Sequence, residues 1–264
     1  MKPIVTLEEN TQGRDFVVGD IHGHFDLFDQ ALEAVNFNPE KDRIISVGDL
    51  VDRGPRSADC HKYLSKKWFY AVRGNHEQMF LDIYRDKSFD YSSVEDNHKL
   101  LEMTQWIKDE DLKTLDKIRE KLENIPLALE IKTTKGIIAF VHADVPETFN
   151  WKDFKERLNK KDKLIAEFAM GSRIRFNDKN NQGVDGVFRI FLGHTPTSNG
   201  PKQLGNVFFI DTGAAYGARG TNSPEKSFLT LADIKANADD ICAPKKTKHE
   251  LVRIVTTNNT PKIN

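Results

Sequence analysis

A chain of 264 residues with hydrophobic residues at 38% and charged residues at 30% can bury a sizeable core and has an ordinary globular composition. Its formal net charge of -1 excludes a global field for nucleic acid or for a membrane surface, so any anion binding has to be local. Cys60 and Cys242 are too few for a disulfide framework or a zinc ribbon, and no apolar run is long enough for a membrane span or a signal peptide, so the cytoplasm is the expected compartment.

Phe16 to Val18 reads as a short strand entering Gly19-Asp20-Ile21-His22-Gly23, and Leu27, Leu32, Ala34 and Val35 predict a helix behind it. Asp20 and His22, two residues apart, can point to the same side of an extended segment. A second strand, Ile44 to Val47, enters Gly48-Asp49-Leu50-Val51-Asp52-Arg53-Gly54. Two carboxylates and a guanidinium are awkward neighbours for an apolar strand. They suit chemistry: hard oxygen ligands, a planar fork that matches phosphate, and glycines that let the backbone bend around them. Ser57 to Lys66 reads as a short helix and Trp68 to Val72 as a buried strand ending in Arg73-Gly74-Asn75-His76-Glu77. Met79, Phe80, Ile83 and Tyr84 continue at helical spacing, which puts Glu77 in a first turn, where capping or dipole stabilisation is its ordinary role.

Ser88 to Asn97 is polar and loop-like, and Leu100, Leu101, Trp106 and Ile107 suggest a helix. A further helix is predicted by the apolar stripe Leu112, Leu115, Ile118 and Leu122. This insert reads as packing or as a wall of the site. Leu127 to Ile131 and Ile137 to Val141 form a predicted hairpin, the second strand ending in His142-Ala143-Asp144. Helices over Asp153 to Leu158 and Leu164 to Met170 lead to Gly171-Ser172-Arg173-Ile174-Arg175, and Asn177 to Gly186 is a polar loop. Strand Val187 to Leu192 ends in Gly193-His194-Thr195-Pro196, Val207 to Ile210 enters Asp211-Thr212-Gly213, and Phe228 to Ile234 closes the pattern. Beyond Ala236 the chain turns polar, with Lys245, Lys246 and Lys248 reading as a solvated cluster before a short strand, Leu251 to Val255. With no repeat and no linker, one domain is expected over 1–235, followed by a C-terminal extension over 236–264.

Collected, the strand ends offer Asp20, His22, Asp49, Asn75, His142 and His194. His22, His76, His142 and His194, four of the eight histidines, stand in such positions, where histidines needed only for packing would not concentrate. Imidazole with carboxylate suits first-row divalent metals such as Mn, Fe or Zn. With Asp49 as a bridge, Asp20 and His22 would complete one site, and Asn75, His142 and His194 the other. Two ions roughly 3.5 to 4 Å apart serve in-line displacement at a phosphoester. Arg53 and Arg73 follow the same strands as two ligands and can form bidentate bonds to phosphate. His76 is the natural general acid for a leaving alkoxide, and Asp52 could orient it.

Gly19-Asp20-x-His22-Gly23, Gly48-Asp49-x-Val51-Asp52-Arg53-Gly54 and Gly74-Asn75-His76-Glu77 together resemble the signature set of the phosphoprotein phosphatase family, metal-dependent serine/threonine phosphatases, and most of all its lambda-like branch of bacteriophage and bacterial members. His142-Ala143-Asp144, Gly193-His194-Thr195-Pro196 and Asp211-Thr212-Gly213 are similar to the later motifs, and the resemblance spans about residues 14 to 235. It implies an α/β calcineurin-like metallophosphatase fold, two mixed β-sheets packed as a sandwich with helices outside. It also implies two divalent metals, commonly manganese in bacteria and phage and iron with zinc in eukaryotes, and direct attack by a metal-bridging hydroxide without a phosphoenzyme. The implied substrate is a phosphorylated protein or peptide carrying phosphoserine or phosphothreonine, with phosphotyrosine and aryl phosphates accepted in the lambda-like branch; no nucleic acid or membrane partner is implied.

The third phosphate-binding arginine of the family follows a Trp-x-Arg pattern, whereas this chain has Gly171-Ser172-Arg173; Arg173 is the expected counterpart, with Arg175 as the alternative. The rival enzyme, a symmetrical dinucleoside tetraphosphate hydrolase, resembles the pattern with Ala in place of Asp52 and Asp in place of Glu77. A metal-binding scaffold without catalysis would have no need of His76.

Overall fold

Each central strand carries apolar residues on both faces, and the reason is visible in the layers they separate. The computed structural model of the chain describes residues 2–85, 88–89, 104–218, 227–243 and 251–257. Strands β1 (Ile4–Glu8) and β2 (Asp15–Val18) are followed by helix α1 (Phe25–Ala34), β3 (Arg43–Ser46), a 3-10 turn at Ser57–Asp59, α2 (Cys60–Tyr63), β4 (Phe69–Ala71) and α3 (Asn75–Ile83). A small antiparallel pair, β5 (Tyr84–Arg85) with β6 (Ser88–Phe89), precedes a 3-10 helix at Gln105–Asp109 and α4 (Leu112–Glu123). Then come β7 (Ala128–Thr133), β8 (Gly136–Val141), α5 (Trp151–Asn159), α6 (Lys163–Gly171), α7 (Ile174–Asn177) and β9 (Arg189–Leu192). The chain closes with β10 (Lys202–Leu204), β11 (Val207–Phe209), α8 (Ala214–Ala218), β12 (Leu229–Asp233), α9 (Ala238–Cys242) and β13 (Val252–Val255).

Two mixed sheets result, in the orders β1-β7-β8-β9-β11-β10 and β13-β12-β2-β3-β4. Parallel pairing joins β2 to β3 and β3 to β4 in one sheet, and β8 to β9 and β9 to β11 in the other. Side chains alternate across a strand, so Phe16 and Val18 of β2 join the helix-side core while Val17 faces the opposing sheet; Ile44 and Ile45 of β3 divide the same way. Between the sheets Val17, Ile45 and Val47 pack with Leu129, Ile131, Phe140 and Phe191. Helices α1 to α4 cover one outer face, and α5, through Trp151, Phe154 and Leu158, and α6, through Ala169 and Met170, cover the other. Burial on both faces is why these strands read as continuous apolar runs. This is the α/β calcineurin-like sandwich expected from the resemblance.

The sandwich brings six parallel strand ends to one rim. From one sheet β2, β3 and β4 run into Asp20, Asp49 and Asn75; from the other β8, β9 and β11 run into His142, His194 and Asp211. Loops beyond the carboxyl ends of parallel strands are where open α/β sheets bind ligands.

Several elements differ from the sequence expectation. The N-terminal stretch, for which no element is expected, forms β1, an edge strand parallel to β7; its mixed composition hid a strand whose pairing is entirely long-range. The predicted loop at Ser88 begins with β6, while its remainder to Asn97, the helical residues Leu100 and Leu101, and the lysine cluster at 245–248 lie outside the described residues. In the C-terminal extension, β13 pairs in parallel with β12 and extends the second sheet.

Candidate active site

Glu77 organises the loop after β3. It is fully buried in the first turn of α3, and its carboxylate accepts hydrogen bonds from the backbone N–H groups of Gly74 (2.8 Å), Asp49 (2.9 Å), Leu50 (2.7 Å) and Val51 (3.3 Å). The loop thereby folds onto the start of the helix instead of continuing the strand. Its backbone is strained: Asp49 (φ 50°), Asp52 (φ 70°) and Arg53 (φ 69°) are left-handed, as are His22 (φ 46°) and His194 (φ 64°) on neighbouring loops. Such conformations cost of order 1–3 kcal/mol each and persist only where surrounding contacts enforce them. Gly48, at φ 98°, has no room for a side chain, since a Cβ there would meet the backbone of Gly74 and the His142 ring.

The imidazoles are oriented by backbone carbonyls. His22 Nδ1 is 3.0 Å from Val51 O and His142 Nδ1 is 2.7 Å from Val47 O. A carbonyl only accepts, so both Nδ1 atoms carry hydrogen and Nε2 is turned inward. His22 Nε2 lies 3.5 Å from one Asp49 oxygen, and His142 Nε2 lies 3.3 Å from the other and 3.1 Å from Asn75 Oδ1. His194 is held from the opposite side, Nε2 donating to Gly171 O at 3.1 Å, which leaves Nδ1 as the ligating atom. Asp20 accepts from the His194 backbone N–H at 3.0 Å through one carboxylate oxygen and at 3.2 Å through the other.

Among the described residues, Asp49 belongs to two clusters of metal-competent atoms, one with His22 and His76 and one with His142 and His194, the atoms of each within 4.8 Å of one another. The electrostatics fit divalent cations. Burial, reinforced by Asp211 and Asp49, drives the Asp20 carboxyl well above its usual range. Burial likewise drives His22 well down, with Arg53 and His76 adding to it, and pushes His194 down to about 3 with His142 and Arg173 nearby. For His142 burial acts downward, but the Asp49 carboxylate outweighs it and the net shift is upward. An inward imidazole nitrogen 3.3 to 3.5 Å from a carboxylate oxygen is stable only with a cation between them, a proton or a metal ion. Oxygen and imidazole donors without thiolate match first-row divalent metals.

His76 has a different setting. Its Nδ1 makes a 2.7 Å hydrogen bond with Asp52 Oδ2, and Arg53 Nη2 donates to its Nε2 at 3.1 Å. A guanidinium has only donors, so Nε2 accepts here and the Nδ1 proton goes to Asp52. Burial acts to lower the His76 pKa, but Asp49 and Asp52 outweigh it and the net shift is upward. With both nitrogens engaged in this way, His76 is set apart from the three histidines whose outer nitrogen is fixed by a carbonyl.

The arginines divide. Arg53 reaches the centre, with Cζ 5.6 Å from the Tyr216 ring centroid. Arg73, expected as a second phosphate clamp, is directed elsewhere: it donates to the carbonyls of Leu122 (3.1 Å) and Glu123 (2.9 Å) at the C-terminal end of α4, and to Gln78 Oε1 at 2.9 Å. Carbonyls at a helix C-terminus attract a cation, and although Leu122 O also accepts the Ile125 N–H at 3.2 Å, both have a lone pair open to Arg73. Arg173 is exposed and close enough to His194 to repel its protonation. Arg175 is buried and bonded through Nε to Asp144 Oδ1 at 2.8 Å, with Nη2 on Val145 O at 3.0 Å, so between the two it is Arg173 that stands open to a ligand.

Three residues escaped sequence reasoning. Asp211 is a buried third carboxylate beside Asp20 and Asp49, and its place at a strand end was the signal available. Tyr216 lies under Arg53. Trp106 donates its indole N–H to Asp52 Oδ1 at 2.7 Å; nothing local distinguishes it from a packing tryptophan on an apolar stripe.

The family model for the calcineurin-like phosphoesterases matches residues 16–220. The chain is 33% identical to serine/threonine-protein phosphatase 1 of Salmonella typhimurium over 224 residues, covering 83% of this chain and 91% of the relative. It is 31% identical to serine/threonine-protein phosphatase 2 of Escherichia coli, covering 77% and 89% respectively. A crystal structure of a proposed diadenosine tetraphosphatase superposes with a TM-score of 0.60 at 20% identity, covering 89% of this chain and 95% of that one, a likeness of fold.

Proposed function

The chain belongs to the calcineurin-like phosphoesterase family, and on that footing we propose that it is a metal-dependent protein phosphatase that hydrolyses phosphoserine and phosphothreonine monoesters, and phosphotyrosine in addition. The observation that carries the reading is the buried Asp52–His76 pair at 2.7 Å beside Asp49 and Arg53, an acid placed next to a ligand cluster. Asp20, His22 and Asp49 would hold one divalent cation, and Asp49, Asn75, His142 and His194 the second, manganese being the natural occupant. Two such cations, when bound, make water nucleophilic and neutralise phosphate oxygens.

The chain's own groups supply the rest. Arg53 binds the phosphate by its fork, with Arg173 approaching from the His194 side. A phosphate that draws Arg53 away from His76 releases Nε2, which takes up a proton from solvent and passes it to the leaving alkoxide while Nδ1–H stays hydrogen-bonded to Asp52. Binding of substrate and arming of the acid are thereby one movement of the Arg53 side chain.

The tetraphosphate hydrolase reading is weaker on two residues. Glu77 is long enough to reach the N–H groups of Asp49, Leu50, Val51 and Gly74 together, and Asp52 supplies the partner of His76 that an alanine could not. The test is a side-by-side assay of manganese-reconstituted protein on phosphoserine peptide, phosphotyrosine peptide and diadenosine tetraphosphate. Preference for the phosphopeptides is expected; preference for the dinucleotide, or no turnover of any, would overturn the proposal.

A further inference from the structure

Asp52 is pinned at both oxygens. Oδ2 meets His76 Nδ1 and Oδ1 accepts the indole N–H of Trp106, each at 2.7 Å, although Trp106 lies 54 residues further along the chain. All three groups are nearly excluded from solvent: Asp52 is 1%, His76 3% and Trp106 9% exposed. The indole is itself clamped. Its ring stacks on Phe80 of α3, with centroids 5.7 Å apart and planes 17° from parallel, and α3 is the helix that carries His76 in its first turn. Trp106 thus ties the strained β3 loop to the helix bearing the acid.

We infer that Trp106 is a positioning residue for the acid, the third member of a Trp106–Asp52–His76 chain that sets the angle and distance at which Asp52 holds the imidazole. This rests on the phosphatase reading above and deepens it. The physical reason is that a carboxylate with one engaged oxygen can rotate about χ2, whereas a carboxylate with two opposed donors cannot. Without the indole N–H, the second oxygen of Asp52 is a buried acceptor without its donor, and the neighbouring guanidinium of Arg53 is the group it would turn toward. That rotation lengthens the bond to His76. The insert that reads in the sequence as a wall therefore takes part in proton delivery.

A tryptophan that merely filled space would slow all esters alike when changed. A tryptophan that positions the acid matters in proportion to how much the leaving group needs a proton. Trp106→Phe keeps the ring that stacks on Phe80 and deletes only the donor. In the manganese-loaded protein, the kcat ratio of phenyl phosphate to 2,4-dinitrophenyl phosphate is expected to fall about tenfold or more in this variant, with KM for both esters within about twofold of wild type. In an Asp52→Asn background, Trp106→Phe should change that ratio no further. Equal slowing of both esters, an unchanged ratio, or full additivity with Asp52→Asn would overturn the inference. Should Trp106→Phe not fold, the 15N-labelled indole signals of the three tryptophans provide a second measurement: Asp52→Ala should move the Trp106 N–H resonance and leave that of Trp151, bonded to Glu130 Oε2 at 2.6 Å, in place. An unmoved Trp106 signal also overturns it. Wild-type protein inactive on both esters would instead count against the phosphatase reading, a separate outcome.

Discussion

Asp52 Oδ2 and His76 Nδ1 lie 2.7 Å apart across 24 residues of sequence, in a volume from which water is nearly absent. The bond assigns the two imidazole nitrogens different duties: Nδ1 belongs to Asp52, and Nε2 alone faces Arg53 and the ligand cluster. His76→Asn should lower kcat on a phosphoserine peptide by about 10²-fold or more while both metal sites stay loaded. Turnover like that of wild type on such a poor leaving group would remove His76 from the acid's role.

Metal content should respond to two substitutions in different ways. Asp49→Asn takes away the carboxylate common to both ligand clusters, and elemental analysis is expected to find at least one ion lost. Glu77→Gln leaves every proposed ligand in place but points an amide NH2 at backbone donors it formerly accepted from. A buried group left unsatisfied costs about 1–3 kcal/mol, so thermal unfolding should shift down by several degrees, with weaker metal retention as the loop around Asp49 relaxes. Retention of two ions by the Asp49 variant would count against the shared carboxylate.

Arg173 and Arg175 should separate cleanly into a kinetic residue and a structural one. Arg173→Met removes an exposed cation beside His194, and kcat/KM on a small phosphomonoester is expected to drop about tenfold or more with the melting temperature held. Arg175→Met strands the buried Asp144 carboxylate, a change worth about 3–5 kcal/mol of stability. The reverse pattern in calorimetry and kinetics would exchange their roles.

For Arg73 the expectation is stability before catalysis. Arg73→Met takes the guanidinium from the Glu123 carbonyl and from that of Leu122, which keeps the Ile125 N–H, at the end of α4, costing about 1–3 kcal/mol, whereas Arg53→Met should leave unfolding almost unchanged and strike kcat/KM. Denaturant titration of both variants beside steady-state kinetics decides it; a stable Arg73 variant with a strongly raised KM would restore it as a phosphate ligand.

The residues that meet at the rim were legible because they stand in contiguous words. Asp20 and His22, Asp49 to Arg53, and Asn75 to Glu77 each follow an apolar strand directly, and a strand end next to a glycine is a local signal. The α/β sandwich was legible for the same reason, since strands buried on both faces announce themselves as apolar runs. Other features depended on contacts between distant segments. Strand β1 is held by β7, Arg73 is captured by the end of α4, and Trp106 meets Asp52, each across 49 or more residues. No periodicity records such pairings, because a donor's side chain type says what it can bond to and not what the fold will bring within 3 Å. The sequence by itself determined which groups could bind metal, phosphate and proton. Tertiary structure alone decided that Arg73 bonds the end of α4, and that a tryptophan closes the second oxygen of Asp52, because only the packing of α3, α4 and the β3 loop sets those distances.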